Sequence, residues 1–337
     1  MRYEDLVNNK DYAFLFNDIH LKDNILFLCF GGSFSYGTNV ETSDIDIRGV
    51  CLPSLSDVIG VTNFEQYVDN KTDTVIYSLP KFINLVSSCN PNVIEMLFCK
   101  EEHYLYVSPL GKKLLENRHL FLSKRAFYTF GGYANAQLNR LENALARDGN
   151  ILNNHQMCEH INRSVENCVS SFIKYDIKED DIKTYVGCYK EGLDEEILCD
   201  FNLKGYPLSK LKSIVEEMSN VLRTYKDTVG QRNKKKDDVH LNKHMMHLIR
   251  LYLMCYEILS TNDLHTYREF DHELLMNIRN GFYRDDNGKV KNEFYEMLHE
   301  LEDKCKIAYK NSTLNNNVDK NMIYNLLEEI YKESIFK

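Results

Sequence analysis

A six-residue apolar run, Ile25 to Phe30, breaks on Gly31-Gly32-Ser33-Phe34-Ser35-Tyr36-Gly37-Thr38, and the chain resumes with Thr42-Ser43-Asp44-Ile45-Asp46-Ile47-Arg48-Gly49. No other stretch constrains the fold as tightly. The apolar run has the length of a strand, and glycine at its end lets the backbone approach a ligand closely. Backbone N–H groups of such a turn favour bound phosphate. In the following strand, side chains two residues apart share a face. Asp44, Asp46 and Arg48 therefore point one way, while Ile45 and Ile47 bury the other face. Two carboxylates at that spacing repel unless a cation lies between them. Hard oxygen ligands without nearby His or Cys select Mg²⁺ or Mn²⁺ over zinc. A phosphate cradle beside a carboxylate pair is the equipment of two-metal phosphoryl or nucleotidyl transfer. An Asp-x-Asp pair alone is weak, and the glycine–serine turn upstream makes it specific.

The rest of the chain is read around that motif. At 337 residues it is long enough for two domains. Residues 21 to about 110 alternate short apolar runs with turn signals. They include a strand at Thr74 to Tyr77 and helical stretches near 79–88 and 91–99. From about residue 111 the periodicity is helical, as in Lys124 to Ala146, Ser209 to Tyr225, Val239 to Leu259 and Asn292 to Tyr309. The expected architecture is α/β (α+β): a small mixed-sheet catalytic domain over residues 1–115, then an all-helical domain over residues 116–337. The longest early apolar cluster is strand-sized and lacks the flanks of a signal peptide, so the reading is a cytoplasmic protein without a membrane span. Ten cysteines with no CxxC pair read as free thiols. The formal net charge of −9 argues against non-specific coating of nucleic acid, though not against a substrate held in a local basic pocket.

Gly32-Ser33 followed by Ser43-Asp44-Ile45-Asp46 resembles the signature of the DNA polymerase β-type nucleotidyltransferase superfamily. The longer string, Gly-Ser-x-x-Tyr-Gly-Thr with Ser-Asp-Ile-Asp-Ile-Arg-Gly-Val, is similar to bacterial and phage nucleotidyltransferases associated with RNA-repair operons. Tyr77 to Phe82, Asn90 to Phe98 and Lys243 to Leu251 carry the same likeness. The resemblance implies a third carboxylate on a later strand. Asp73, which opens Thr74-Val75-Ile76-Tyr77, is the match, with Asp69 as reserve. It also implies an NTP substrate held by Gly32 and Ser33, with two Mg²⁺ (or Mn²⁺) ions on Asp44, Asp46 and Asp73.

His240 to Leu259 reads as an amphipathic helix with Leu241, Met245, Leu248, Tyr252, Cys255 and Leu259 as its apolar stripe. His240, Lys243, His247 and Arg250 share another face. Lys243, His247 and Arg250 are candidate phosphate contacts, and Arg48 is a weaker one. His240, His244 and His247 also have the spacing of zinc ligands. No carboxylate follows in an HExxH-like arrangement, so zinc is not expected. The basic run Gln231 to Lys236 reads as a solvated loop or a contact to a polynucleotide backbone. Glu95 follows Asn90-Pro91 in a stretch that looks buried, which fits a structural carboxylate. The expected activity is transfer of an NMP from an NTP to an acceptor hydroxyl, at an RNA 3′ end or on a partner protein. The rivals are a nucleotide- or RNA-binding module without turnover and an RNA-cleaving enzyme. For the latter the helical half offers no Arg-polar-x₄-His arrangement.

Overall fold

The computed structural model of the chain describes residues 3–147, 181–187, 196–209, 238–285 and 288–335, with a few isolated positions between 158 and 219. Five strands form one mixed sheet: β1 (Ile25–Phe30), β2 (Ile47–Cys51), β3 (Gln66–Asp69), β4 (Thr74–Ser78) and β5 (Tyr104–Val107). Their order is β3-β4-β2-β1-β5. β1 runs antiparallel to β2 and β5, β2 and β4 are parallel, and β3 is antiparallel to β4. β1 is buried along nearly its whole length, as a continuous apolar run in an interior strand should be.

Two strands escape the hydrophobic pattern. β3 is Gln-Tyr-Val-Asp on the sheet edge, with alternate residues exposed, and so carries no apolar run. β5, Tyr-Leu-Tyr-Val, is short and sits on the opposite edge. A third departure lies in the helical half. Strands β6 (Ile182–Gly187) and β7 (Glu196–Phe201) pair antiparallel, Ile182 opposite Phe201. Their charged and polar residues mask the alternation that would mark them.

The chain divides into two compact units. One comprises Met1–Phe130, Arg250–Asn277 and Glu296–Lys337, the other Gly131–Ile249 and Ile278–Tyr295. A cut near residue 115 therefore does not follow the compact units, because helical segments from late in the chain complete the unit that carries the five-stranded sheet. In that unit Leu6, Leu15, Leu21, Leu28, Ile47 and Ile76 form a fully buried cluster. Phe82, from the Leu79–Ser87 helix, meets Phe27 of β1 edge-on at 5.9 Å. Residues 250–261 of the Asp238–Thr261 helix pack with the Asn292–Asn311 helix, where the Tyr252 hydroxyl donates to Glu302 at 2.9 Å.

The Asp238–Thr261 helix is apolar around most of its circumference. Leu241, Met245, Leu248, Tyr252, Cys255 and Leu259 are buried as the stripe requires, but so are Met246, Ile249, Leu251, Met254 and Ile258. A helix of that kind is enclosed rather than half-solvated. In the second unit, His244 Nδ1 lies 3.0 Å from Gln137 Oε1. The run 231–236 and most of Ser209 to Tyr225 lie outside the described residues. Among the described residues, no helix is long and apolar enough to cross a membrane.

Candidate active site

The carboxyl end of β1 turns at Gly31 into a short helix, Gly32–Tyr36, closed by Gly37 in the left-handed conformation. Gly32 has φ +55°, and a Cβ placed on it would fall 1.8 Å from Asp46 Oδ2. The glycine is thus required twice, by its backbone and by the carboxylate lying over it. Ser33 is half-buried on the first turn. The Ser35 hydroxyl donates to the Gly32 carbonyl at 2.8 Å and ties the turn to itself.

The chain returns through a tight turn in which the Ser43 N–H donates to the Val40 carbonyl and the Val40 N–H donates to the Ser43 hydroxyl, both at 2.9 Å. Asp44 and Asp46 follow in an extended segment just ahead of β2, rather than within the strand. Pairing nevertheless continues across it, since the Gly31 N–H donates to the Asp46 carbonyl at 2.9 Å. The ladder stops here because β1 ends on its glycine turn. Ile47 is wholly buried and Ile45 packs against the same core. Asp44 is exposed, while Asp46 and Arg48 are half-buried.

The parallel register sets Ile47 opposite Thr74. The residues immediately before them, Asp46 and Asp73, therefore stand side by side. Arg48 lies between them: Nη2 is 3.4 Å from Asp46 Oδ1 and 3.6 Å from Asp73 Oδ1, and Nη1 donates to the Asp73 carbonyl at 2.5 Å. Asp73 itself has φ +47°, which a short polar side chain tolerates. Burial first, then a hydrogen bond to Asp73 and the charges of Asp73 and Asp44, push the Asp46 carboxyl up to about 6, against the pull of Arg48. Asp69 is placed differently. Its Oδ1 accepts from the Lys71 and Thr72 N–H groups and the Thr72 hydroxyl, so it shapes the β3–β4 turn. Those bonds hold its carboxyl below the usual range.

Three carboxylates and one guanidinium leave this end of the sheet short of positive charge, and its donors are all hard oxygens. That chemistry suits a divalent cation such as Mg²⁺. Among the described residues, no three Asp, Glu, His or Cys side chains are already grouped as a metal shell. The Arg48 guanidinium is the cation between Asp46 and Asp73 in this structure.

The basic face drawn from helix spacing does not stay together. Arg250 is only 4% exposed. Its Nη1 donates to Glu95 Oε2 at 3.2 Å, and its guanidinium carbon lies 3.7 Å from the centre of the Tyr36 ring. Enclosure of the helix on most sides is the reason, and Arg250 is built into the protein rather than displayed on it. Lys243 and His247 are half-buried in the second unit, so a phosphate role for them rests on the sequence. Glu95 is a satisfied structural carboxylate: it accepts from the Tyr36 hydroxyl at 2.7 Å as well as from Arg250. Spacing alone gives Tyr36 no role. The only signal was its place in the Gly-Ser-x-x-Tyr-Gly string.

Residues 9–152 match the sequence model of a family described as RNA repair pathway DNA polymerase beta family (RlaP). No curated protein and no solved structure matches the chain. The matched stretch contains the Gly32 turn, Asp44, Asp46 and Asp73, together with the five-stranded sheet that carries them. Over residues 9–152 the chain is similar to the RNA-repair-associated branch of the DNA polymerase β-type nucleotidyltransferases.

Proposed function

We propose that the protein is a metal-dependent nucleotidyltransferase that moves an NMP from an NTP to the terminal hydroxyl of an RNA. The observation that carries this reading is the parallel register of β2 and β4, which sets Asp46 beside Asp73 at the glycine–serine turn. Asp44, Asp46 and Asp73 would hold Mg²⁺ or Mn²⁺. When bound, the metal supplies charge neutralisation of the phosphates and activation of the attacking hydroxyl.

Gly32, lacking a side chain beneath the Asp46 carboxylate, and the Ser33 hydroxyl would hold the triphosphate. The acceptor oxygen would attack the α-phosphorus in line, forming the new phosphodiester as the bond to pyrophosphate breaks. Asp73, whose side chain is 61% exposed and open to an incoming acceptor, would take the hydroxyl proton. Arg48 would neutralise the carboxylates and turn toward phosphate as the site fills.

The test incubates the protein with each α-labelled NTP, Mg²⁺ or Mn²⁺, total RNA and cell lysate. Label in RNA together with pyrophosphate release supports the reading. Label in protein assigns the acceptor to a polypeptide hydroxyl instead. Nucleotide binding with no transferred label identifies a binding module.

A further inference from the structure

A second recess lies beside the Gly32 turn, within the same compact unit. It is a cavity of about 250 Å³ lined by Phe98, Lys100, Arg118, Thr266 and Tyr267, with Asp263 and Glu269 also on its wall. On the same measure a single water needs about 10–15 Å³, so the space is of ligand size. Its position follows from three contacts. The Arg268 N–H donates to the Tyr36 carbonyl at 3.0 Å, and the Thr266 N–H donates to the Phe98 carbonyl at 3.2 Å. The Tyr267 ring presses on Gly37, where a Cβ would lie 2.4 Å from a ring carbon. His103 bridges the end of β1 and this wall, its ring 5.9 Å from Phe30 and 5.5 Å from Tyr267.

Its chemistry is that of a nucleotide site. Arg118 is half-buried and places its guanidinium carbon 5.5 Å from the centre of the Phe98 ring. Its Nε is buried without a hydrogen-bond partner, and no carboxylate pairs with the guanidinium among the described residues. A partly desolvated guanidinium in that condition calls for an anion, and phosphate matches its geometry. Lys100 holds its Nζ 5.0 Å above the Tyr267 ring, and its nearest carboxylate oxygen, on Glu102, is 4.0 Å away. Tyr267 and Phe98 offer aromatic surface for a base or sugar, and the Asp263 and Glu269 carboxylates can accept from ribose hydroxyls. Guanidinium for phosphate, ring for base and carboxylate for the 2′-hydroxyl together favour a ribonucleotide in a single strand.

We propose that this cavity holds a ribonucleotide unit of the acceptor strand, with its phosphate on Arg118 and Lys100, so that the terminal hydroxyl is led toward Asp73. The proposal rests on the nucleotidyl-transfer reading for its purpose, but its test does not. A fluorescently labelled single-stranded oligoribonucleotide is titrated with the metal-free protein, without NTP, and binding is followed by anisotropy. Arg118→Gln should weaken binding about tenfold and reduce the dependence on salt by about one charge. Lys100→Gln, an exposed change that leaves the core alone, should weaken it severalfold, and Arg118→Lys should retain part of the affinity. A DNA oligonucleotide of the same sequence should bind less well. Affinity for NTP, titrated separately with Mg²⁺, should not change in any variant.

Wild-type protein that does not bind the oligoribonucleotide overturns the proposal. So do variants that bind RNA as well as wild type, and so does a loss confined to NTP affinity. If RNA binding falls in the variants while no labelled NMP is transferred to any acceptor, the strand site stands and the transfer reading fails.

Discussion

The Arg250 guanidinium stands 3.2 Å from the Glu95 carboxylate, and the two side chains are 5% and 9% exposed. Burial raises the Glu95 carboxyl, while Arg250 and the Tyr36 hydroxyl pull it back down. Tyr36 closes the Gly32–Tyr36 helix, so this ion pair braces the element that carries the candidate phosphate turn. Removing one partner of a buried pair strands the other charge. Arg250→Met should therefore lower unfolding free energy by about 3–5 kcal/mol in denaturant titrations. The Arg250→Met/Glu95→Gln double variant should lose much less than the sum of the singles. A surface phosphate ligand would instead leave stability near wild type and show no such coupling.

Gly32→Ala puts a Cβ where Asp46 Oδ2 now lies, at a backbone position with φ +55°. The carboxylate must move, and a displacement near 1 Å at a reacting centre can remove about 10²-fold in rate. The left-handed backbone adds a further cost of about 1–2 kcal/mol. A kcat reduced about 10²-fold or more, with a cooperative thermal transition only a few degrees lower, is the expected outcome. Near-normal turnover would mean that Asp46 is not held against the turn during catalysis.

The Asp46 carboxyl, with an ordinary value of 3.8, is raised to about 6 in the folded protein. An acid raised on folding opposes the native state once ionised. Well below pH 4 it is protonated in both states and costs nothing. The cost grows between about pH 4 and pH 6 and is complete above that. In chelator, Asp46→Asn should therefore stabilise the protein at pH 7.5 by about 1–2 kcal/mol, allowing for its partly exposed surroundings. The gain should shrink to a small fraction of that by pH 4. Paired unfolding curves at the two pH values give the comparison, and equal effects at both would contradict the crowding of Asp46.

Asp73 and Asp69 lie four residues apart and are assigned opposite work. Asp73→Asn should abolish nucleotidyl transfer with a small change in stability, as should Asp44→Asn. Asp69→Asn keeps an acceptor oxygen for the Lys71 and Thr72 N–H groups, and should leave turnover within about twofold and stability within about 1 kcal/mol. Transfer rates measured side by side decide which carboxylate belongs to the reaction.

What could be read from the chain followed what is local. The apolar run of β1, the glycine turn, the alternation around Asp46 and the stripe of the Asp238–Thr261 helix are all properties of neighbouring residues. The side-by-side placement of Asp46 and Asp73 was not readable by spacing, because it depends on a parallel pairing between strands separated by a long connection. Resemblance supplied Asp73, and the Ile47–Thr74 register gives the reason. Arg250 was misplaced because a helical wheel shows which residues share a face, not how many faces are covered. Arg118, Lys100 and Tyr267 carry no pattern at all, since they come from three separate parts of the chain.

The braced turn also has a history during synthesis. Glu95 and Arg250 are 155 residues apart, and a ribosome adding about 5–20 residues per second needs roughly 8–30 s to cover that distance. Once residue 107 is added β1 to β5 are made, while the carboxylate beneath Tyr36 still has no counter-charge and the segments 250–277 and 296–337 do not yet exist. The ion pair under the turn can close only after those segments are made. A fragment ending at residue 152, where the family likeness stops, would be held at that stage for good.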